Sequence, residues 1–226
     1  MRKSGGVPPR ASGALPGSVL AKPVAQVPQG NLARLRRAAR ACHACPLWAR
    51  ATQTVFGAGP EKARIVLIGE QPGQSEDREG LPFVGPAGRL LDRALAEAGL
   101  DRPALYLTNT VKHFKYESRG KARLHKRANA SEQAACRMWL AAELERLRPR
   151  LIVALGAMAA QTLFGDGFRL TRERGRWHRL TGEAAGMATW DPSAILRAPD
   201  ERRALMYRQL VADLTGIVKR IAREPD

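Results

Sequence analysis

The chain has 226 residues, of which 44% are hydrophobic, so it can build the core of one ordinary domain, and a wholly disordered chain is excluded. Its 38 Lys and Arg outnumber its 21 Asp and Glu, which gives a formal net charge of +17 and predicts a polyanionic partner, with nucleic acid first. No apolar run approaches the roughly 18 residues of a membrane span, and the N-terminus lacks the apolar segment of a signal peptide, so we expect a cytoplasmic protein with no membrane partner.

The periodicity of the apolar residues predicts an α/β fold. Short apolar runs that end in Gly are typical of buried parallel strands. Strands that alternate with helices indicate a parallel sheet with helices on both faces. In chain order, the pattern predicts a helix over 31–41, a strand over 64–69, a Gly- and Pro-rich loop over 69–87, a helix over 88–98, a strand over 104–109, a basic loop over 112–127, a helix over 131–147, a strand over 150–156, a helix over 157–164, a strand pair over 169–190 and a terminal helix over 199–222.

The positive charge is concentrated in two segments. No acidic residue precedes Glu61, and that stretch holds nine Lys or Arg. Residues 1–30 are rich in Gly and Pro, so we expect a disordered basic tail before a domain spanning 31–226, with a merely solubilising extension as the alternative. The second segment, Lys112 to Arg127, holds seven basic residues and one acid. It lies between a predicted strand and a predicted helix, where α/β folds place functional loops.

The loop after the first predicted strand carries a lone carboxylate at the strand tip. It reads Gly69-Glu-Gln-Pro-Gly73, and Leu-Pro-Phe-Val-Gly-Pro-Ala-Gly follows over 81–88. Ligands of parallel sheets bind at the carboxyl ends of the strands. Glu70 is therefore a candidate base or water-positioning group, and a rigid loop with a capping Glu is the alternative.

Several motifs together resemble a known family. The loop over 69–88, the strand end at 107–109, Pro-Ser-Ala-Ile-Leu-Arg over 192–197 and the Cys42-x-x-Cys45 pair resemble the iron–sulfur uracil-DNA glycosylases of family 4. The Gln of Gly-Glu-Gln-Pro-Gly and the basic loop ending at His125 are similar to the UdgX branch, which becomes covalently attached to uracil-containing DNA. The resemblance implies a three-layer α/β/α uracil-DNA glycosylase-like fold with a central, mostly parallel sheet.

The resemblance also implies a uracil pocket. Phe83 matches the aromatic residue that stacks on uracil, and Gln71 belongs to the same uracil-binding loop. Asn109 matches the residue that reads the uracil edge, since one side-chain amide can donate to a carbonyl and accept from the ring N–H. Alternatives that need no ligand are a core position for Phe83 and a strand-end cap for Asn109.

His125 matches the histidine that attacks the sugar in the UdgX branch. A neutral imidazole is a competent nucleophile, and Glu70 would orient it and stabilise its developing charge. Lys121 and Arg123 would brace the loop or hold DNA phosphates, although the branch usually has more Arg in this run. The alternative is that His125 itself only contacts a phosphate.

Three cysteines cannot all pair, so metal ligands or buried thiols are expected rather than disulfides. Cys42-x-x-Cys45 alone fits zinc, iron–sulfur or redox chemistry. The family uses four cysteines, and His113 stands where its third is usual. The resemblance therefore implies that Cys42, Cys45, His113 and Cys136 hold a 4Fe–4S cluster, while zinc is the alternative for such a set.

The largest departure from the family lies at 191–193. The family usually has His-Pro-Ser, whose His stabilises the departing uracil anion, whereas this chain has Asp191-Pro-Ser193. An ionised Asp191 would repel that anion, unless Asp191 or Glu70 takes up a proton. Ser193 and Arg197 are the remaining candidate DNA contacts of this motif.

Taken together, the motifs predict a monomer that flips uracil out of DNA, preferably single-stranded DNA, excises it and is captured through His125 in a single turnover. Two other functions stay open. One is a binding module that Asp191 has disabled for chemistry, and the other is an ordinary glycosylase that turns over repeatedly. A zinc-stabilised structural protein is a remote third.

Overall fold

The computed structural model describes residues 27–120, 122–180, 182 and 184–223. Most of the predicted basic tail, residues 1–26, lies outside the described residues, and so does the predicted DNA contact Lys121. Within the described part of the chain, the α-helices and strands are α1 Leu32–Ala39, β1 Ile65–Gly69, α2 Gln74–Glu79, α3 Pro86–Glu97, β2 Tyr106–Asn109, β3 Tyr116–Arg119, β4 Ala122–His125, α4 Ala130–Leu147, β5 Leu151–Leu155, α5 Ala157–Phe164, α6 Leu170–Glu173, β6 Trp177–Arg179, β7 Ala185–Thr189, α7 Pro192–Arg197 and α8 Asp200–Ile221.

The main sheet has five strands in the order β2-β1-β5-β7-β6. Strands β2, β1, β5 and β7 run parallel, and β6 pairs antiparallel with β7 at one edge. The mostly parallel sheet predicted from the sequence is thereby confirmed. Because β1 and β2 are parallel neighbours with Gly69 opposite Asn109, the loops after these two strands leave the sheet side by side.

Helices cover both faces of the sheet. Alternate residues of β1 point to opposite sides, so that Val66 and Ile68 join the core under α1, α4 and α5, while Ile65 and Leu67 join the core under α3, α7 and α8. Residues of β1 and β5 are all buried, as expected for strands covered on both faces. The result is the expected three-layer α/β/α arrangement.

The terminal helix α8 shows why its segment folds as an amphipathic helix. Met206, Leu210, Leu214 and Ile217 recur at intervals of three or four residues and are buried. The exposed side of α8 carries mainly charged residues, together with Leu205 and Ile221. In the described part of the chain, no helix combines the length and apolar character that a membrane crossing requires.

The structure adds elements that the sequence pattern did not predict. A two-turn helix, α2, lies inside the loop predicted over 69–87, and the basic segment predicted as a loop forms an antiparallel hairpin of β3 and β4. This hairpin is a separate two-stranded sheet whose residues are exposed or only partly buried. Exposed strands lack the apolar alternation by which strands are recognised, which explains why the pattern missed it.

Candidate active site at the strand ends

A cavity of about 510 Å³ opens where β1 and β2 end. This volume is typical of a small-molecule site, and its position beyond the carboxyl ends of parallel strands is the usual one for such sheets. Eight of the residues singled out from the sequence meet there. These residues are Glu70, Gln71, Phe83, Asn109, His125, Asp191, Ser193 and Arg197.

The floor of the cavity is formed around Gly69, the last residue of β1. A Cβ atom on Gly69 would collide with the Asn109 Oδ1 atom and would lie 2.7 Å from the Phe83 Cζ atom. Contacts of this kind require one of the neighbours to move. The absence of a side chain at Gly69 therefore allows the ring of Phe83 and the amide of Asn109 to share the same small space.

The backbone of Phe83 adopts a conformation that is uncommon for a bulky residue. Its φ is 57°, in the left-handed region. The guanidinium of Arg102 donates to the Phe83 carbonyl oxygen at 2.9 Å, and Gly88 lies so close that a Cβ there would collide with the same oxygen. Strained backbones held by their surroundings occur preferentially at binding sites. Phe83 is 9% exposed, packs in the core under α3, α7 and α8, and also borders the cavity.

Gln71 connects the strand-end loop to the hairpin. Its Nε2 donates to the Lys126 carbonyl oxygen and lies 2.9 Å from the His125 Nε2 atom, while its Oε1 accepts from the Ala128 N–H. These backbone partners fix the orientation of the amide, so Gln71 donates to His125. The His125 Nε2 atom must then carry a lone pair, and a neutral imidazole holds its proton on Nδ1. The resemblance predicts Gln71 as a uracil contact. Its hydrogen bonds are instead those of a residue that orients His125.

His125 lies at the rim of the cavity. Partial burial lowers the pKa of its imidazole, and the charge of Arg197 lowers it further, whereas the carboxylate of Asp191 opposes both. A lowered pKa keeps the ring neutral over a wider range of pH, which is the state that a nucleophile needs.

Glu70, predicted to orient His125, has a different charged neighbour. Its carboxylate lies 3.9 Å from the Arg127 guanidinium. Burial raises the pKa of Glu70, the charge of Arg127 lowers it, and the nearby carboxylate of Asp191 raises it again. Glu70 and Asp191 therefore face the same cavity closely enough for each to influence whether the other holds a proton.

The hairpin is anchored to α2 by Asp77, which the sequence analysis missed. Asp77 is fully buried and accepts hydrogen bonds from the backbone N–H and the hydroxyl of Thr52. Its second oxygen also receives the Arg123 guanidinium at 3.2 Å, and Arg123 lies over the ring of Tyr116. Arg123 consequently has the contacts of a residue that braces the hairpin, one of the two roles predicted for it.

A second buried carboxylate, Glu76, organises the loop that carries Phe83. One oxygen of Glu76 accepts from the backbone N–H groups of Val84 and Gly85, and the other accepts from that of Gly73. The only sequence signal for either acid was an adjacent acidic pair within a Gly- and Pro-rich loop. That pattern does not reveal which backbone groups the carboxylates will meet.

Asp191 is the N-cap of α7. Its side chain accepts the Ser193 N–H at 2.7 Å, which satisfies one of the free backbone donors at the start of the helix. Burial raises the pKa of Asp191, although the hydrogen bond from Ser193 and the charges of Arg197 and His125 oppose this shift. Within α7, Ile195 is fully buried, whereas Leu196 is 37% exposed and borders the cavity.

The raised pKa of Asp191 leads to a stability prediction. The folded protein keeps this proton to a higher pH than the unfolded chain does, so the carboxyl stabilises the fold in acid, and this contribution is lost as the pH rises through the folded pKa. Asp191→Asn keeps the cap and removes the charge. We expect the melting temperature of this variant to exceed that of wild type by about 2–4 °C near neutral pH. A gain of roughly 1 kcal/mol in the free energy of unfolding has this effect in a domain of this size. The difference in melting temperature should disappear in acid. A lower melting temperature at neutral pH would mean that the charge stabilises the fold.

The three free cysteines lie near one another. The pKa of the Cys136 thiol is raised to about 12, chiefly by burial, with a smaller contribution from Cys45 and Cys42 and with Lys112 opposing the shift. All three cysteines pack in the same apolar cluster. Two of the sulfurs accept N–H donors, Cys136 from the backbone of Lys112 and Cys42 from the indole of Trp139. Such donors are usual around metal-bound sulfur.

The cysteines and His113 do not form a finished ligand shell. The His113 Nε2 atom lies 2.9 Å from the Thr54 hydroxyl. Among the residues that the structure describes, no group of three or more His, Cys, Asp or Glu side chains is arranged to hold a metal ion. The donor chemistry of three neighbouring thiols with N–H groups on their sulfurs nevertheless fits a sulfur-ligated centre.

Comparison with protein families and with curated proteins gives consistent matches. A family model described as the uracil DNA glycosylase superfamily matches residues 56–215. The type-4 uracil-DNA glycosylase of Thermotoga maritima is 40% identical over 158 residues, which cover 69% of this chain and 78% of that protein. The type-4 enzymes of Archaeoglobus fulgidus and Sulfurisphaera tokodaii are 36% and 33% identical, over 71% and 77% of this chain and 81% and 80% of their own lengths.

A solved structure shares the fold. The crystal structure of SMUG2 from Pedobacter heparinus superposes with a TM-score of 0.51 and 10% sequence identity, and the match covers 70% of this chain and 77% of the other. At such low identity the likeness bears on the fold alone, and it agrees with the three-layer arrangement described above.

Proposed function

This chain belongs to the uracil DNA glycosylase superfamily, and from that premise we propose that it excises uracil from DNA and is then captured covalently on the deoxyribose through His125. The observation that carries the proposal is the convergence of Phe83, Asn109 and His125 on one cavity. The first two residues suit a flat base with a hydrogen-bonding edge, and the third supplies a nucleophile beside it.

Recognition of uracil rests on Phe83 and Asn109. A base must leave the stack to reach a cavity of this kind, and the face of Phe83 offers a surface on which it can stack. The Asn109 amide donates to a uracil carbonyl and accepts from the ring N–H. Cytosine presents an amino group and an unprotonated ring nitrogen at those positions, so it leaves the Asn109 amide unsatisfied in the orientation that suits uracil.

The capture step assigned to His125 balances in atoms and charge. The bond between the uracil N1 and the sugar C1′ breaks, and its electron pair leaves with uracil. An imidazole lone pair then forms a bond to C1′, and the other ring nitrogen releases its proton as uracil takes one up. If Nε2 attacks, the hydrogen bond from Gln71 is exchanged for the new bond. Gln71 thus orients the nucleophile before the reaction.

Asp191 is assigned the role of a neutral acid next to the departing uracil. A carboxylate would repel the uracil anion, whereas a protonated Asp191 can donate a hydrogen bond to it. Burial raises the pKa of both carboxyls, against the Ser193 hydrogen bond at Asp191 and the Arg127 charge at Glu70, and the charge of Asp191 also raises the pKa of Glu70. If the charge persists instead, the protein is a uracil-DNA binder without chemistry, and this remains the second candidate function.

For the DNA strand, we propose contacts on either side of the cavity. Arg197 borders the cavity from α7, and Lys126 and Arg127 are exposed on the hairpin side, so cations face both flanks of a flipped nucleotide. The exposed Leu196 is placed to fill the gap that the flipped base leaves, which the buried Ile195 cannot do. Single-stranded DNA is the proposed preferred substrate, because no base pair must then be broken, and a monomer suffices for these contacts.

A 4Fe–4S cluster is proposed at Cys42, Cys45, His113 and Cys136. The neighbouring thiols and the N–H donors on their sulfurs support this site. When bound, such a cluster crosslinks its ligands, and here it would tie the segment before β1 to α4 and to the turn that leads into the hairpin. Its role in this proposal is structural.

The cluster proposal predicts that Cys136→Ala loses iron. Protein purified without oxygen is expected to be brown, with about four iron and four sulfide per chain in wild type and less than half of that in the variant. Ala134→Ser, two residues earlier in α4, is the control and should keep the wild-type iron content. Wild-type protein that contains zinc and no iron would contradict the cluster.

The proposed function is tested by incubating the protein with a uracil-bearing single-stranded oligonucleotide and running a denaturing gel. A retarded band in amounts equal to the protein, with one free uracil per band, is the expected result. Free uracil in excess over protein without a band would indicate ordinary turnover. Salt-sensitive binding of the oligonucleotide with neither a retarded band nor free uracil would indicate a binding module that Asp191 has disabled for chemistry.

A further inference from the structure

A fully buried ion pair lies behind the cavity. The Lys112 Nζ atom is 2.6 Å from the Glu143 Oε2 atom, and both side chains are completely shielded from solvent. Removing two charges from water is costly, and such a pair is often no more stabilising than well-packed apolar residues. The stability of the fold is therefore a weak reason for this pair.

Lys112 uses each of its three ammonium donors. Besides Glu143, they reach the Thr108 hydroxyl and the Asn109 carbonyl oxygen, both at 2.7 Å. Thr108 and Asn109 are the last two residues of β2, which is an edge strand of the main sheet. A carbonyl on the outer side of an edge strand has no further strand to pair with, so it needs another donor. Lys112 supplies that donor at the residue whose amide borders the cavity.

Glu143 holds the ammonium group of Lys112 in place from the core. Its Oε1 atom accepts the Gly57 N–H at 2.9 Å and the Tyr106 hydroxyl at 3.0 Å, which connects α4 to β2 and to the segment before β1. The backbone of Lys112 is itself held, since its N–H donates to Cys136 and its carbonyl accepts from Val55. Each of the three bonds to the Lys112 side chain is thus made to a rigid element.

We propose that Lys112 is a positioning residue for Asn109, and that the Lys112–Glu143 pair thereby sets how accurately the Asn109 side chain is placed against uracil. The inference rests on the proposed function, because it takes Asn109 to read the uracil edge. A side-chain amide reaches the edge of a base only where its backbone places it, and a shift of about 1 Å in such a contact can cost 10²-fold in rate. Lys112 fixes the backbone of Asn109 from the side that the sheet leaves open.

The test separates positioning from stability with a double variant. Lys112→Met alone leaves Glu143 as a buried, unpaired charge, whereas Lys112→Met with Glu143→Leu removes both charges together. We expect the double variant to melt close to wild type and to release uracil in a single turnover about 10- to 100-fold more slowly. Its dissociation constant for uracil-containing oligonucleotide should stay within about threefold, because the proposed phosphate contacts lie elsewhere.

The matched control is Tyr106→Phe, which removes a hydrogen bond to Glu143 and leaves all three Lys112 donors in place. It should lower the melting temperature and change the rate by less than about twofold, because Glu143 keeps its bonds to Gly57 and Thr108. The side-chain amide resonances of Asn109 provide a second measurement, and they should shift in the double variant and not in Tyr106→Phe. Iron content is measured on each protein, so that rates are compared at equal content.

Wild-type rate and wild-type Asn109 resonances in the double variant would overturn the inference. If the double variant does not fold, Thr108→Val removes an acceptor of Lys112 and the hydroxyl that donates to both oxygens of Glu143. An unchanged rate and resonance there would also overturn it. If wild type releases no uracil, the proposed function fails, while the resonance of Asn109 still decides whether Lys112 positions it.

Discussion

Replacing His125 with alanine is expected to abolish the denaturation-resistant adduct between the protein and uracil-containing DNA. The variant removes the atom that bonds to the sugar, so the band should fall by at least ~10³-fold rather than partially. The fold should be unaffected, since His125 lies on an exposed hairpin whose anchors, Asp77 with Arg123 and Gln71 with the backbone, remain. The measurement is the fraction of labelled oligonucleotide retained on a denaturing gel with protein in excess.

The same variant also separates excision from capture. Without His125, water can take its place at the sugar carbon, so free uracil should exceed the amount of protein. His178→Gln is the matched control, because His178 packs against Phe164 and Phe168, away from the cavity, and it should form the adduct at the wild-type rate. A band of wild-type intensity from the alanine variant would identify another residue as the nucleophile.

Gly69→Ala is expected to have the second largest effect. The new methyl group would collide with the Asn109 Oδ1 atom and crowd the edge of the Phe83 ring, so one of the two must move out of its position. Because both are proposed to hold the base, we expect the single-turnover release of uracil to slow by about 10²-fold. The rate should be measured with saturating protein, so that weaker binding of DNA does not mask the change.

Gly216→Ala is a useful control for Gly69→Ala. Gly216 lies within α8, and a Cβ there meets no atom within 4 Å. Alanine in a helix is favoured over glycine by roughly 0.5–1 kcal/mol, so this variant should be slightly more stable and fully active. Full activity of Gly69→Ala would show that the cavity floor can accommodate an extra methyl group. This result would contradict the close packing of Phe83 against Asn109.

Secondary-structure elements that have a characteristic pattern of apolar residues could be predicted from the sequence. The apolar runs of β1 and β5 identified buried strands, because strands covered on both faces are apolar throughout. The hairpin of β3 and β4 could not be identified in this way. It is stabilised by cross-strand bonds and by one buried acid, Asp77, that is distant in sequence.

The same limit applies within the site. Glu70, Phe83, Asn109 and His125 were found because they stand in short motifs, and they do meet at one cavity. The partner of His125 was predicted to be Glu70, yet the amide that contacts it belongs to Gln71, the next residue. The side chains of Glu70 and Gln71 point in different directions because they are adjacent in the chain. The path of the chain after β1 decides which of these two side chains reaches the hairpin.

The hairpin of β3 and β4 has a consequence for how the proposed reaction could be altered. Among the described residues, β3 and β4 pair only with each other and are exposed or partly buried, and side chains such as Asp77 and Gln71 join them to the rest of the domain. The cavity floor, by contrast, is built from the main sheet. In the proposed function, a change in the hairpin would therefore alter the step that follows excision while leaving Phe83 and Asn109 in place to bind the base.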